Sequence, residues 1–196
     1  MRNRPGFLPA VLAMTLAGGL MSAAVGPAQA RPVAEETAGP AAAPPYYLKF
    51  DKSSVTNSRL YLMKSTAGAD KVVASYKAGS GQSTNTCALN RGWLPNGTYD
   101  VEFHRKNFDG IINGYVIKIS DHKCHNGTKR TELFVHSEMK PNGQQGSIES
   151  ERWTNSNPND YYSNGCIKLN PGNIKNLFAK VDAIGWRKMT KLYVVS

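Results

Sequence analysis

The chain has 196 residues, with 24 Lys and Arg against 14 Asp and Glu, a formal net charge of +10 at pH 7, and three cysteines. Past the first 45 residues the length fits one domain with its own core, and no internal repeat or second linker argues for more. No stretch beyond the N-terminal segment is apolar enough to span a bilayer.

In chain order, Arg2 and Arg4 give a positive start, Phe7 to Ala24 is mostly apolar and small, and Ala28-Gln29-Ala30 supplies a small-x-small site. Those three parts in that order read as a secretory signal peptide, residues 1–30. Pro9, Gly18 and Gly19 interrupt the apolar run and make it a poor retained anchor. Export and cell-wall association are therefore expected, with no integral membrane segment after cleavage. Cleavage removes Arg2 and Arg4 and no acidic residue, so the remainder stays basic and drawn to polyanions. Outside the membrane those are teichoic acids and other anionic wall polymers, and nucleic acid is not an expected partner. Residues 31–45 hold five alanines and four prolines and read as a flexible, disordered linker.

From Tyr46 to the C-terminus the pattern is mainly β. Tyr46–Phe50, Arg59–Lys64 and Lys71–Lys77 are short runs rich in aromatic or β-branched residues, bounded by Ser, Thr, Gly and Asn. Thr98–Phe103 alternates Tyr99, Val101 and Phe103 with polar partners, as a half-buried strand does. Gly114–Ile119, Thr131–His136 and Lys191–Val195 read similarly. The spacing predicts a β-sandwich or distorted barrel. One helix is expected at about 171–184, because Ile174, Leu177, Phe178, Val181 and Ile184 share a face. Asn170 suits its cap, Pro171 its first turn and Gly185 its stop.

Cysteines in an oxidising compartment tend to pair, and three leave one over. The pairing among Cys87, Cys124 and Cys166 is open at this level. Gly165 before Cys166 permits a tight turn or a close backbone approach, and the two amides there suit a developing oxyanion. The helix expected from Pro171 follows closely enough to lend the thiol a small dipole effect. A thiol nucleophile needs a base, and His104, His122, His125 and His136 are available. His136 ends a strand-like run, whereas His104 sits beside Arg105 and Lys106, which disfavour its protonated form. His122-Lys123-Cys124-His125 crowds its ligands with no matching second half, so no metal site is expected.

Together these residues resemble the L,D-transpeptidases of the YkuD type, as a secreted, actinobacterial-like member. Phe134-Val135-His136-Ser137 resembles the family's histidine-bearing strand, and Ser163-Asn164-Gly165-Cys166-Ile167-Lys168-Leu169 its nucleophile segment. Asn170-Pro171-Gly172-Asn173-Ile174 is similar to the helix start after the nucleophile. Leu94-Pro95-Asn96-Gly97-Thr98-Tyr99 is similar to a turn into a strand, and Arg59-Leu60-Tyr61-Leu62 to an opening hairpin. The resemblance covers residues 46–196 and implies a catalytic domain of YkuD fold.

It further implies that Cys166 is the nucleophile and His136 the base, with Ser137 orienting His136 through its backbone carbonyl. Ser163, Asn164 and Gly165 position the oxyanion, and Lys168, Tyr162 and Trp153 contact substrate. With Cys166 kept free, Cys87 and Cys124 form the disulfide. The substrate is a peptidoglycan stem peptide, no cofactor or metal is needed, the thiol is a carbapenem target, and the protein acts as a monomer. Acyl transfer through a thioester would then give 3→3 cross-links in wall biogenesis and cell-shape maintenance. The same Cys-His site would also serve an L,D-carboxypeptidase with water as acceptor. A non-catalytic wall-binding module using the aromatic residues is the other alternative. An NlpC-type peptidase is disfavoured because its cysteine precedes its histidine.

Three positions depart from the family pattern: Asn164 stands where a histidine is usual, Lys168 where many members carry arginine, and residues 139–162 are longer than usual. Lysine keeps the charge but loses bidentate grip on a carboxylate. The long segment, polar and carrying Trp153, Tyr161 and Tyr162, reads as a lid or substrate loop.

Overall fold

A computed structural model describes residues 43–196; the expected signal peptide and most of the linker lie outside the described residues. Ten strands form: β1 (Tyr46–Asp51), β2 (Ser58–Lys64), β3 (Lys71–Ser80), β4 (Gly97–Phe108), β5 (Gly114–Ile119), β6 (His122–Lys123), β7 (Lys129–Arg130), β8 (Leu133–His136), β9 (Ile167–Leu169) and β10 (Met189–Val195). Eight of them close into a barrel in the order β1-β10-β4-β5-β8-β9-β3-β2, while β6 and β7 pair as a separate small hairpin. The expected mainly-β barrel is thus the observed one. Most neighbours are antiparallel, but β1 runs parallel to β10 and β8 parallel to β9.

Closure leaves the barrel strands without free edges and fills the interior with alternate side chains. Leu48 and Phe50, Leu60 and Leu62, Ile117 and Ile119, Leu133 and Val135, Ile167 and Leu169, and Leu192 and Val194 all belong to one buried cluster. The single α-helix among the described residues, α1 (Pro171–Ile184), adds Ile174, Leu177, Phe178 and Val181 to the same cluster. Its start and stop follow from local chemistry. The Asn170 side chain accepts from the Gly172 amide at 2.8 Å, Pro171 opens the first turn, and Gly185 ends the helix at φ 94°. Among the described residues no helix is long and apolar enough to cross a membrane.

Differences from expectation are local. Strand β4 runs five residues beyond the expected Phe103, through a polar stretch paired irregularly with β5, with register shifts on that pairing. Strand β8 begins at Leu133 because Glu132 has φ 52°, a left-handed conformation that breaks the extended run. Strand β9, three residues long, lay below what periodicity reveals.

Candidate active site

The parallel pairing of β8 with β9 builds the site. Its register sets Val135 against Ile167 and His136 against Lys168. Strand side chains alternate, and the odd positions Leu133, Val135, Ile167 and Leu169 enter the core. The even positions Phe134, His136, Cys166 and Lys168 consequently share the other face, where they line one cavity of about 540 Å³. Phe108, Ile111 and Ile112 at the β4–β5 turn wall it on one side, and Tyr162, Ser163 and Asn164 on another. Ile111 is 98% exposed, an apolar tip on the rim.

Cys166 is the one free cysteine among the described residues. Cys87 and Cys124 are bridged, with Cα atoms 5.4 Å apart. The expected disulfide is therefore present. Ser163 fixes the nucleophile turn: its hydroxyl donates to the Cys166 carbonyl at 2.6 Å and accepts from the amides of Gly81 (2.9 Å) and Gly165 (3.1 Å). The Gly165 amide, expected to serve an oxyanion, is thereby engaged inside the turn. Asn164 Oδ1 accepts from Gln82 Nε2 at 3.4 Å, which leaves Asn164 Nδ2 as a donor on the cavity lining.

His136 is 6% exposed, and its Nδ1 lies 3.1 Å from the Ser137 carbonyl oxygen. A carbonyl only accepts, so Nδ1 carries the hydrogen and Nε2 keeps its lone pair. Burial, reinforced by the Lys168 ammonium and opposed by the Ser137 carbonyl, pushes the imidazole down to about 3. The thiol donates to the Glu132 carbonyl at 3.5 Å. Burial pushes it up to about 11, against the pull of the Phe134 amide, Lys118, Arg130 and Lys168. The resting pair is neutral thiol and neutral imidazole rather than an ion pair. The strained Glu132 backbone, at φ 52°, aims the carbonyl that holds the thiol.

Other expected residues take different places. Lys168 is buried and ion-paired with Glu138, so its charge is already matched although it lines the cavity. Tyr162 is on the lining at 37% exposure. Trp153, expected at the substrate, does not line that cavity: its ring meets Tyr161 edge-on at 4.8 Å and its amide donates to Gln145 Oε1 at 2.7 Å. These contacts tie down the long segment after Met139, which is further held by Gln145 Nε2 on the Glu138 carbonyl and Thr154 on buried Asp160. Glu138, Glu149 and Asp160 bring carboxylate oxygens within 4.8 Å of one another. Lys168 pairs with Glu138 and Arg152 with Glu149, while Asp160 is held by the amide and hydroxyl of Thr154. Buried Ser137 Oγ and Glu138 Oε2 have no hydrogen-bond partner among the described residues.

The remaining histidines do not line the Cys166 cavity. His104 stacks on Trp186 at 3.7 Å and is held below its usual range by burial first, with Arg105 and Lys106 adding to it. His122 packs on Tyr99 at 4.6 Å, and His125 lies 3.4 Å from the Cys87 sulfur.

Sequence reasoning missed Arg130. It is 2% exposed on β7 and donates to four carbonyls: Thr86, Trp93 (3.2 Å), Gly92 (3.1 Å) and Asn164 (3.1 Å). Gly165 sits under it at φ 124°, and a Cβ there would fall 2.2 Å from Arg130 Nη2. Gly165→Ala is thus strained in backbone and blocked in space. With Cys166 as the expected nucleophile, its acylation in that variant should fall at least about tenfold, since a misplaced reacting group costs up to about 10²-fold. A rate unchanged within about twofold, measured by intact mass on folded protein, would show that the turn does not need this geometry.

A closed barrel thus brings a free thiol, on the residue just before β9, and a buried, carbonyl-oriented imidazole at the end of the parallel neighbour β8 onto one cavity. Residues 45–194 match the model of the YkuD family, the L,D-transpeptidase catalytic domain, and the chain belongs to that family. No curated protein matches it significantly. Among solved structures it is similar to Bd1075 of Bdellovibrio bacteriovorus, at 11% identity and TM-score 0.49, covering 78% of this chain and 48% of that one. It is also similar to a fused Zn-dependent amidase/peptidase/peptidoglycan-binding-domain protein of Clostridium acetobutylicum, at 12% identity and TM-score 0.39, covering 77% of this chain and 52% of that one. The chain spans about half the length of each, and neither likeness carries a functional argument.

Proposed function

We propose that the protein is an exported peptidoglycan L,D-transpeptidase that forms 3→3 cross-links through a thioester on Cys166. The observation that carries this reading is the shared outer face of β8 and β9, which puts the Cys166 thiol and the His136 imidazole in one cavity. His136 Nε2 takes the thiol proton as the sulfur attacks the carbonyl at the third residue of a tetrapeptide stem. The carbonyl π pair moves onto oxygen, where the Cys166 amide and Asn164 Nδ2 hold it, the Gly165 amide being engaged by Ser163. The C–N bond then breaks, and the terminal D-alanine leaves with the proton from His136. An amine of a second stem gives its proton to His136, attacks the thioester, and releases the thiol.

Ser137 sets the tautomer that makes Nε2 the base, and burial keeps water from competing for it. The signal segment and the excess of Lys and Arg support an extracytoplasmic, wall-associated site of action. Purified protein incubated with tetrapeptide muropeptides should yield dimers joined 3→3, resolved by mass, and Cys166→Ala should yield none. Tripeptides without dimers would instead assign water as acceptor, an L,D-carboxypeptidase. Unaltered muropeptides would favour wall binding alone.

A further inference from the structure

Three buried cations, Lys118, Lys168 and Arg130, lie on the elements around the nucleophile turn, and two are already matched. Lys118 on β5 is 3.4 Å from Glu102 and 3.9 Å from Asp121, and donates to the Ile119 carbonyl at 2.8 Å. Lys168 on β9 is paired with Glu138. Arg130 on β7 differs: among the described residues no carboxylate lies within ion-pair distance of it. Its fork is satisfied by carbonyls of the 84–94 loop and by Asn164, which settles the hydrogen bonds but leaves the charge. Tyr99, packed nearby, keeps its hydroxyl on the Pro95 carbonyl at 2.8 Å and is far above its ordinary range, so it supplies no anion. A buried charge without a counter-ion is costly, and such groups cluster at functional sites.

The anion that arrives here is formed two residues beyond Asn164. On the reading of Cys166 as nucleophile, we infer that Arg130 is the fixed positive charge that stabilises negative charge at Cys166, first as thiolate and then in the tetrahedral adduct. It acts as a positioning residue: its Nη2 grips the Asn164 carbonyl and occupies the space that a Gly165 side chain would need. Arg130 exchanges no proton. The thiol proton goes to His136 Nε2, and the charge left on sulfur meets an arginine that stays protonated throughout. Burial holds the guanidinium below its usual range, opposed by Tyr99 and Cys166, and its charge, with those of Lys118 and Lys168, opposes the upward pull of burial on the thiol.

Alkylation of the full chain by iodoacetamide at pH 8, followed by intact mass, reads this without any peptide substrate. Arg130→Gln should slow alkylation of Cys166 about tenfold, the effect of a one-unit rise in thiol pKa. Arg130→Lys, which keeps the charge, should stay within about threefold of the wild type. A purely structural arginine predicts the opposite sign, because a loosened turn exposes the thiol and speeds alkylation. An unchanged or faster rate in folded Arg130→Gln would therefore overturn the inference. Where Arg130→Gln does not fold, Arg130→Lys decides: retention within about threefold supports it, and a tenfold fall or a rise overturns it. Failure of the cross-linking assay, with these rates as expected, would sink the proposed reaction and leave Arg130's role standing.

Discussion

His136→Gln is expected to slow acylation of Cys166 by about 10²- to 10⁴-fold, the span that a positioned general base contributes. His136 is the one imidazole on the cavity lining, and its Nδ1–H···O contact to Ser137 commits Nε2 to proton transfer. Glutamine keeps a donor for that carbonyl but has no basic nitrogen. Stopped-time intact-mass measurements on a folded variant check this, and a loss under about tenfold would move the base elsewhere.

The same burial predicts the pH behaviour. The imidazole's folded value, about 3, lies below its ordinary 6.5, so its contribution to stability is present above pH 6.5 and is lost as pH falls towards 3. The thiol's folded value, about 11, lies above its ordinary 9.0, so its contribution is present below pH 9 and is lost as pH rises through 11. Stability from this pair therefore has a plateau between those ordinary values, and wild-type acylation should show no acid limb near pH 6.5. A limb there would mean that the imidazole is solvated.

The second large effect concerns the disulfide. Cys87 and Cys124 close a loop 37 residues long in sequence separation. By loop entropy that closure contributes about 3–4 kcal/mol. The double variant Cys87→Ser with Cys124→Ser should melt about 10 °C lower, at about 2–4 °C per kcal/mol for a domain of this size. It should also lose activity, because Thr86, the neighbour of Cys87, lends Arg130 a carbonyl. Calorimetry on both forms tests it. A fall of under about 3 °C would mean that the 84–94 loop is held by other contacts, such as the amide of Gly92 on the Ala88 carbonyl.

What was legible in the sequence followed from local or periodic signals. The helix at 171–184 was readable because a cap, a proline, a stripe and a terminal glycine all agreed on it. His136 and Cys166 were readable as a pair only through an ordered family pattern. Nothing in periodicity announces that β8 and β9 lie side by side and parallel, because β9 has three residues and its pairs with β8, Val135 with Ile167 and His136 with Lys168, lie 32 positions apart along the chain. Arg130 left no trace for the same kind of reason: it sits on a two-residue strand, and its partners are backbone carbonyls, which carry no side-chain pattern. Lys168 read as a substrate cation and does line the cavity, but its pairing with Glu138, which closes thirty residues of chain, has no local signal. Trp153 read as a substrate aromatic because it is large and lies in a long polar segment, yet its neighbour Tyr161 claims its ring. Asn164, the departure from the family's histidine, has its oxygen on Gln82 and its backbone carbonyl on Arg130, so the position is built for hydrogen bonding and not for a second imidazole.

The central claim is that the Cys166 thiol is the acyl acceptor of this barrel. Intact-mass analysis of the native protein after exposure to a carbapenem, with peptide mapping, tests it most directly. One covalent adduct on Cys166, absent from folded Cys166→Ala while the Cys87–Cys124 bridge stays intact, is the predicted result. An unmodified mass, or an adduct that survives the Cys166→Ala substitution, would contradict it.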